Sequence, residues 1–107
     1  MATLSIQERN RLRQISHALN PVVMLGGSGL TENVVEEILR ALNDHELIKV
    51  KIAGEDREER AAIIAEIAST TGAEIVQTIG KIALLYKKAA KQNAKLSNLV
   101  RFAHAAK

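Results

Sequence analysis

The heptapeptide "ELIKVKI", Glu46 to Ile52, sets Ile48, Val50 and Ile52 against Lys49 and Lys51 in strict alternation. That period belongs to a pleated strand, whose successive side chains point to opposite faces. The segment therefore reads as a half-buried strand, and its lysines imply that one face of the sheet is at least partly open to water.

Helical patterns flank it on both sides. Before it, Val34, Val35, Ile38, Leu39 and Leu42 fall on one helix face and Glu32, Glu36, Glu37 and Arg40 on the other, with an end near Asp44. After it, "GEDREER" opens a helix with Asp56 as cap and Glu59 three residues on; Ile63, Ile64, Ile67 and Ala68 form its apolar stripe until Gly72 closes it.

Further out, "VVML" (Val22 to Leu25) is a short apolar run of strand type that leads into the glycine loop "LGGSGLTE" (Leu25 to Glu32). Ahead of it, Ser5 opens a capping box with Glu8, and Leu12, Ile15 and Leu19 recur at helical spacing from Ser5 to about Leu19. Arg9, Arg13 and His17 make an i, i+4 stripe beside the apolar one, and Asn20 and Pro21 stop the helix. On the other side, "EIVQTI" and "IALLYK" read as two strands joined by Gly80 and Lys81, with glycine first as a type II′ turn prefers.

The order is an N-terminal helix followed by β-α-β-α-β-β. Two strand-helix-strand units call for parallel neighbours, and the closing hairpin adds an antiparallel strand. The expected fold is α/β, a four-stranded mixed sheet with packed helices. The remainder carries Leu96, Leu99, Val100 and Ala103 at helical spacing, so a short helix or a partly disordered tail are both open.

At 107 residues and 47% hydrophobic content, the chain fits one domain. It has no cysteine, hence no disulfide or thiolate metal site; its first residues, "MATLSIQERNRLR", lack the apolar h-region of a signal peptide and no apolar run reaches membrane-spanning length, so neither is expected. A cytoplasmic protein is expected. The net charge of +3 hides an asymmetry: all 12 acidic residues lie between residues 1 and 74, whereas Lys81, Lys87, Lys88, Lys91, Lys95, Arg101 and Lys107 stand beyond without a single acid. Such a block is either a footprint for a polyanion or a solvated, self-repelling tail.

The glycine loop fails the familiar catalytic patterns at named positions. Thr31 has no lysine before it, as a nucleotide-hydrolase loop requires, and Glu32 occupies the third glycine of a dinucleotide fingerprint. Leu30 replaces the second glycine of a nucleophile elbow centred on Ser28. His17, His45 and His104 are not paired by spacing, so no metal or acid/base site is expected. What remains is Gly26, Gly27, Ser28 and Gly29 as GxxG, the loop with which KH-type modules clamp a single-stranded backbone. With only Tyr86 and Phe102 as aromatics, a base-stacking platform is unavailable, and backbone contact must dominate.

The segments "NPVVMLGGSGLTE", "HELIKVKIAGEDREER" and "QTIGKIALLYK", in this order and spacing, closely resemble the YhbY-like proteins, stand-alone bacterial members of the CRM (chloroplast RNA splicing and ribosome maturation) family. The resemblance covers about Ser5 to Lys87. It implies an RNA-binding domain, here 1–88, similar in fold to the C-terminal domain of translation initiation factor three; the basic tail at 89–107 is variable in such proteins, and its role rests on charge alone. It also implies ribosomal RNA and precursors of the large ribosomal subunit as partners, with no enzymatic activity, cofactor, small-molecule substrate or membrane. The family's GxxG loop falls on Gly26 to Gly29 and its basic hairpin turn on Gly80 and Lys81. Many relatives carry Lys or Arg inside the loop; Gly27 and Ser28 stand there in this chain, leaving the loop its backbone NH groups and the Ser28 hydroxyl.

The expected RNA-binding set is Gly26, Gly27, Ser28, Gly29, Lys51, Lys81, Lys87, Lys88, Arg9 and Arg13, on a monomer. The competing reading is a protein-interaction module that docks a ribosomal or translation factor through the acidic face of the second helix or the open sheet face. A phosphoryl-transfer or phosphate-sensing enzyme would need a metal-holding carboxylate beside the loop, and Glu32 alone serves that poorly.

Overall fold

The structure is a computed structural model that describes residues 4–26, 29–54 and 56–102. Helix α1 (Ile6–Ser16) begins at Ser5, whose hydroxyl accepts from the Glu8 amide at 3.1 Å while the Glu8 carboxylate accepts from the Ser5 amide at 3.2 Å. Both arms of the capping box are thus formed. The helix ends at Ser16, three residues short of the expected Leu19, because the chain tightens into i→i+3 turns at His17, Ala18 and Leu19 before the proline.

Strand β1 (Pro21–Leu25) leads through the glycine loop to α2 (Glu32–His45), capped by the Thr31 hydroxyl, and β2 (Leu47–Ile52) follows. Helix α3 (Arg57–Thr71) starts at Asp56, whose carboxylate accepts from the Glu58 amide, and stops at Gly72, whose φ of +77° is the left-handed cap that favours glycine. Strands β3 (Glu74–Ile79) and β4 (Ile82–Tyr86) form the hairpin. Gly80 has φ +56° and Lys81 does not share its positive φ, which is the type II′ pattern rather than I′. A last short helix, α4 (Asn98–Arg101), lies within the basic segment.

The sheet order is β1-β2-β4-β3, with β1 and β2 parallel and β4 antiparallel to both its neighbours. The expectation of parallel neighbours holds for β1 and β2 and fails for β2 and β3, because β4 inserts between them. The reason lies in β4, whose Ala83, Leu84 and Leu85 are buried in succession. A strand buried on both faces belongs inside a sheet.

Two clusters fill the two faces. Val23, Leu25, Ile48, Val50, Ile52, Ala83 and Leu85 pack against Ile38 and Leu42 of α2 and Ile64 and Ile67 of α3. On the opposite face, Leu47, Val76 and Leu84 pack against Leu12, Ile15 and Leu19, with Leu99 and Phe102 of the α4 region alongside. This second face was expected to be at least partly open to water on the evidence of Lys49 and Lys51, and part of it is: Lys51 is exposed, whereas Leu47 is buried and the half-buried Lys49 folds back to donate from Nζ to the Leu19 carbonyl at 3.1 Å.

Candidate nucleic-acid interface

Three connections meet at one end of the sheet. Since β4 runs antiparallel to both β2 and β3, strands β1, β2 and β3 all point the same way, and their carboxyl ends share an edge. There the Ala53 amide donates to the Leu25 carbonyl at 3.0 Å and the Ile52 amide donates to the Lys81 carbonyl at 2.8 Å. The glycine loop, the β2–α3 connection and the Lys81 turn are thereby held side by side. Outside the carboxyl ends of strands is where open α/β sheets bind ligands.

Gly27 and Ser28 lie outside the described residues, but both ends of the GxxG loop are defined. The Gly29 amide donates to the Gly26 carbonyl at 3.0 Å, closing a turn that Gly29 enters with φ +70°. Gly29 therefore has a conformational reason to be glycine. Gly26 has none of that kind: its φ is ordinary, and a Cβ built there meets no described residue within 4 Å. The fold does not require glycine at that position, and the bare backbone faces open space.

Charge divides this end into two sides. Toward α2 and α3, a cavity of about 390 Å³ is lined by Glu32, Glu36 and Glu66 with Leu30, Val35 and Thr70. Toward the open part of the sheet stand Lys51, on the last turn of pleat in β2, and Lys81, both exposed. A polyanion at the loop is repelled on the helix side and attracted on the sheet side. Sequence reasoning missed a further cation here, Arg60, whose guanidinium donates to the Gly54 carbonyl at 2.8 Å and braces the β2–α3 connection.

The other expected residues are not gathered at this edge. Lys87 follows the opposite end of β4, and its ammonium donates to the Thr71 carbonyl at the end of α3 at 2.7 Å. Lys88 lies beside it, near Glu46. Arg9 donates from Nη1 to the carbonyls of Ile75 and Val76, at 3.0 and 2.7 Å, where β3 bulges. Arg13 is exposed one turn further along α1.

Glu46 was invisible as a structural centre in the sequence. It ends α2 with φ +62°, is 2% exposed, and joins the basic segment to the body. Its carboxylate accepts from the Ala89 amide at 2.9 Å, Gln92 Nε2 at 2.6 Å and the Ser97 hydroxyl at 2.8 Å, while Asn98 Nδ2 donates to the Leu47 carbonyl at 2.7 Å. Burial pushes this carboxyl upward, but the Ala89, Gln92 and Ser97 hydrogen bonds and the Lys88 charge outweigh it, leaving the group below its ordinary value. His45 adds a bond from Nδ1 to the Leu96 carbonyl at 2.8 Å, which requires the proton on Nδ1. Tyr86, half-buried against the second cluster, is raised by burial first and then by the charges of Glu46 and Glu8, as suits a packing residue.

Among the described residues, no group of three or more His, Asp or Glu could hold a metal ion, and no helix is long and apolar enough to cross a membrane.

Residues 4–87 match the CRS1 / YhbY (CRM) domain. The chain is 58% identical over 87 residues to a protein of Haemophilus influenzae named "RNA-binding protein", covering 81% of this chain and 88% of that one. It is 46% identical over 100 residues to a "Probable RNA-binding protein" of Pseudomonas aeruginosa, covering 94% and 96%. In solved structures, it superposes on a Staphylococcus aureus protein described as a candidate RNA-binding protein, with a TM-score of 0.73 and 26% identity over 89% of this chain and 98% of that one.

Proposed function

Because this chain belongs to the CRS1 / YhbY (CRM) domain family, we propose that it is a non-catalytic RNA-binding protein of the cytoplasm that holds ribosomal RNA in large-subunit precursors during assembly. The RNA backbone lies across the carboxyl edge of the sheet. It meets the glycine loop at Gly26, whose bare main chain is open, and Lys51 and Lys81 neutralise phosphates from the sheet side.

The observation that carries this reading is the shared edge. The Leu25–Ala53 and Ile52–Lys81 hydrogen bonds bring an open glycine backbone and two exposed lysines from three separate strands to one place. Among the described residues, neither lysine side chain bonds a backbone carbonyl, in contrast to Arg9 and Lys87, whose cationic groups hold such carbonyls. The relatives' names support RNA as the ligand. The identity of that RNA as ribosomal rests on the family resemblance.

Crosslinking the full chain in a bacterial extract, followed by sequencing of the attached nucleic acid, tests the reading. Large-subunit ribosomal RNA should dominate and should fall away for a Lys51→Ala/Lys81→Ala variant. Recovery of protein partners without RNA would instead favour a protein-docking module.

A further inference from the structure

The part of the second sheet face that α1 and α4 leave bare carries one continuous row. In strand order, the paired positions are Met24, Lys51, Ile82 and Ile79. Met24 is 69% exposed and Ile79 is 64% exposed, Lys51 is exposed and Ile82 half-buried. The row behind it holds Lys49, Leu84 and Gln77, so neither row contains a carboxylate.

Resting on the RNA-binding reading above, we propose that this row is a floor for nucleobases. A single strand whose phosphates meet the loop and Lys81 lays two or three bases on Met24, Ile82 and Ile79, with Lys51 among their phosphates.

Three observations select this occupant. The first is charge: the opposite side of the loop is lined by Glu32, Glu36 and Glu66, so a strand leaving the loop is directed onto the sheet. Next comes size, since four strands about 4.8 Å apart make a row about 14 Å long, comparable to the sheets on which other domains seat two or three bases. The third is chemistry. Lys51 sits in the middle of the apolar row, and covering it with a neutral protein surface would strand its charge, whereas phosphate supplies the counter-charge with the bases. Aliphatic and thioether side chains offer contact area and no hydrogen-bond pattern, so the floor accepts any base.

A Met24→Ser/Ile79→Ser variant of the full chain tests this, because both side chains are mostly outside the core and the melting curve should be unchanged. Binding is measured to uridine and adenosine strands of about 12 nucleotides, to an abasic strand of equal length, and to duplex RNA. The variant should bind both base-bearing strands about five- to tenfold more weakly, bind the abasic strand as wild type does, and keep the wild-type salt slope. Wild-type affinity of the variant for the base-bearing strands, or an equal loss on the abasic strand, would overturn the floor while leaving RNA binding intact. If wild type is a dimer that the variant splits, the face belongs to a second copy and the proposal fails. Absence of binding by wild type to every RNA would instead remove the underlying RNA reading.

Discussion

The Ile52 amide donates to the Lys81 carbonyl at 2.8 Å, so the hairpin turn is fixed to the end of β2 by backbone alone. The Lys81 side chain is left exposed and free of that structural duty. A Lys51→Ala/Lys81→Ala variant should therefore keep wild-type stability while losing RNA affinity. Each phosphate contact on a single strand contributes about 0.7 to the slope of log affinity against log salt, so the double variant should lower that slope by about 1.4. A salt titration of the two proteins measures it, and identical slopes would remove these lysines from the interface.

Lys87 should behave in the opposite way. Its ammonium bonds the Thr71 carbonyl, beside the left-handed Gly72 and at the negative end of the α3 dipole. Lys87→Met keeps the apolar stem and should cost about 1 kcal/mol of stability, read as a lower urea midpoint, with the RNA salt slope unchanged. A reduced slope with unchanged stability would place Lys87 at the RNA instead.

Glu46 predicts an acid-sensitive clasp. Its carboxyl is held below the ordinary value in the folded chain, while in the unfolded chain it titrates near about 4.3. The unfolded state then binds the proton more readily, so the clasp contributes fully above that unfolded value and its contribution is lost as pH falls through the folded one. Glu46→Gln should reduce stability at pH 7 by about 1–2 kcal/mol and flatten the loss on acidification below about pH 4. Thermal melts of both proteins from pH 7 to pH 3 check this; parallel curves would show that Glu46 does not hold the segment.

Much of the fold was legible because its signals are local. Ser5 and Glu8 sit three residues apart and cap each other, Gly72 must take a left-handed φ to end α3, and Gly80 before Lys81 dictates the hairpin. Strand order was less accessible. Alternation in β2 shows which residues share a face, but not that β4 slots between β2 and β3 or that α1 covers part of the lysine-bearing face. Those outcomes depend on partners distant in sequence, such as Lys49 reaching Leu19.

The candidate site divides along the same line. Glycine spacing and the two lysines marked the carboxyl edge, since backbone freedom and charge are properties of single residues. Counting charge also selected Arg9 and Lys87, and composition cannot show that each bonds a backbone carbonyl, 67 or 16 residues away in sequence. Glu46 gave no warning at all, because "HELIK" reads as an ordinary helix exit and its hydrogen-bond partners lie 43 to 51 residues further on.

The central claim is that RNA approaches the bare backbone of the glycine loop, and Gly26→Asp tests it most directly. Position 26 has an ordinary φ and open space around an added Cβ, so the variant should fold with wild-type stability. It places a carboxylate where phosphate is expected to pass. Equilibrium binding to a single-stranded RNA should weaken by at least about tenfold, equivalent to about 1.4 kcal/mol. Unchanged affinity in the folded variant would contradict the account.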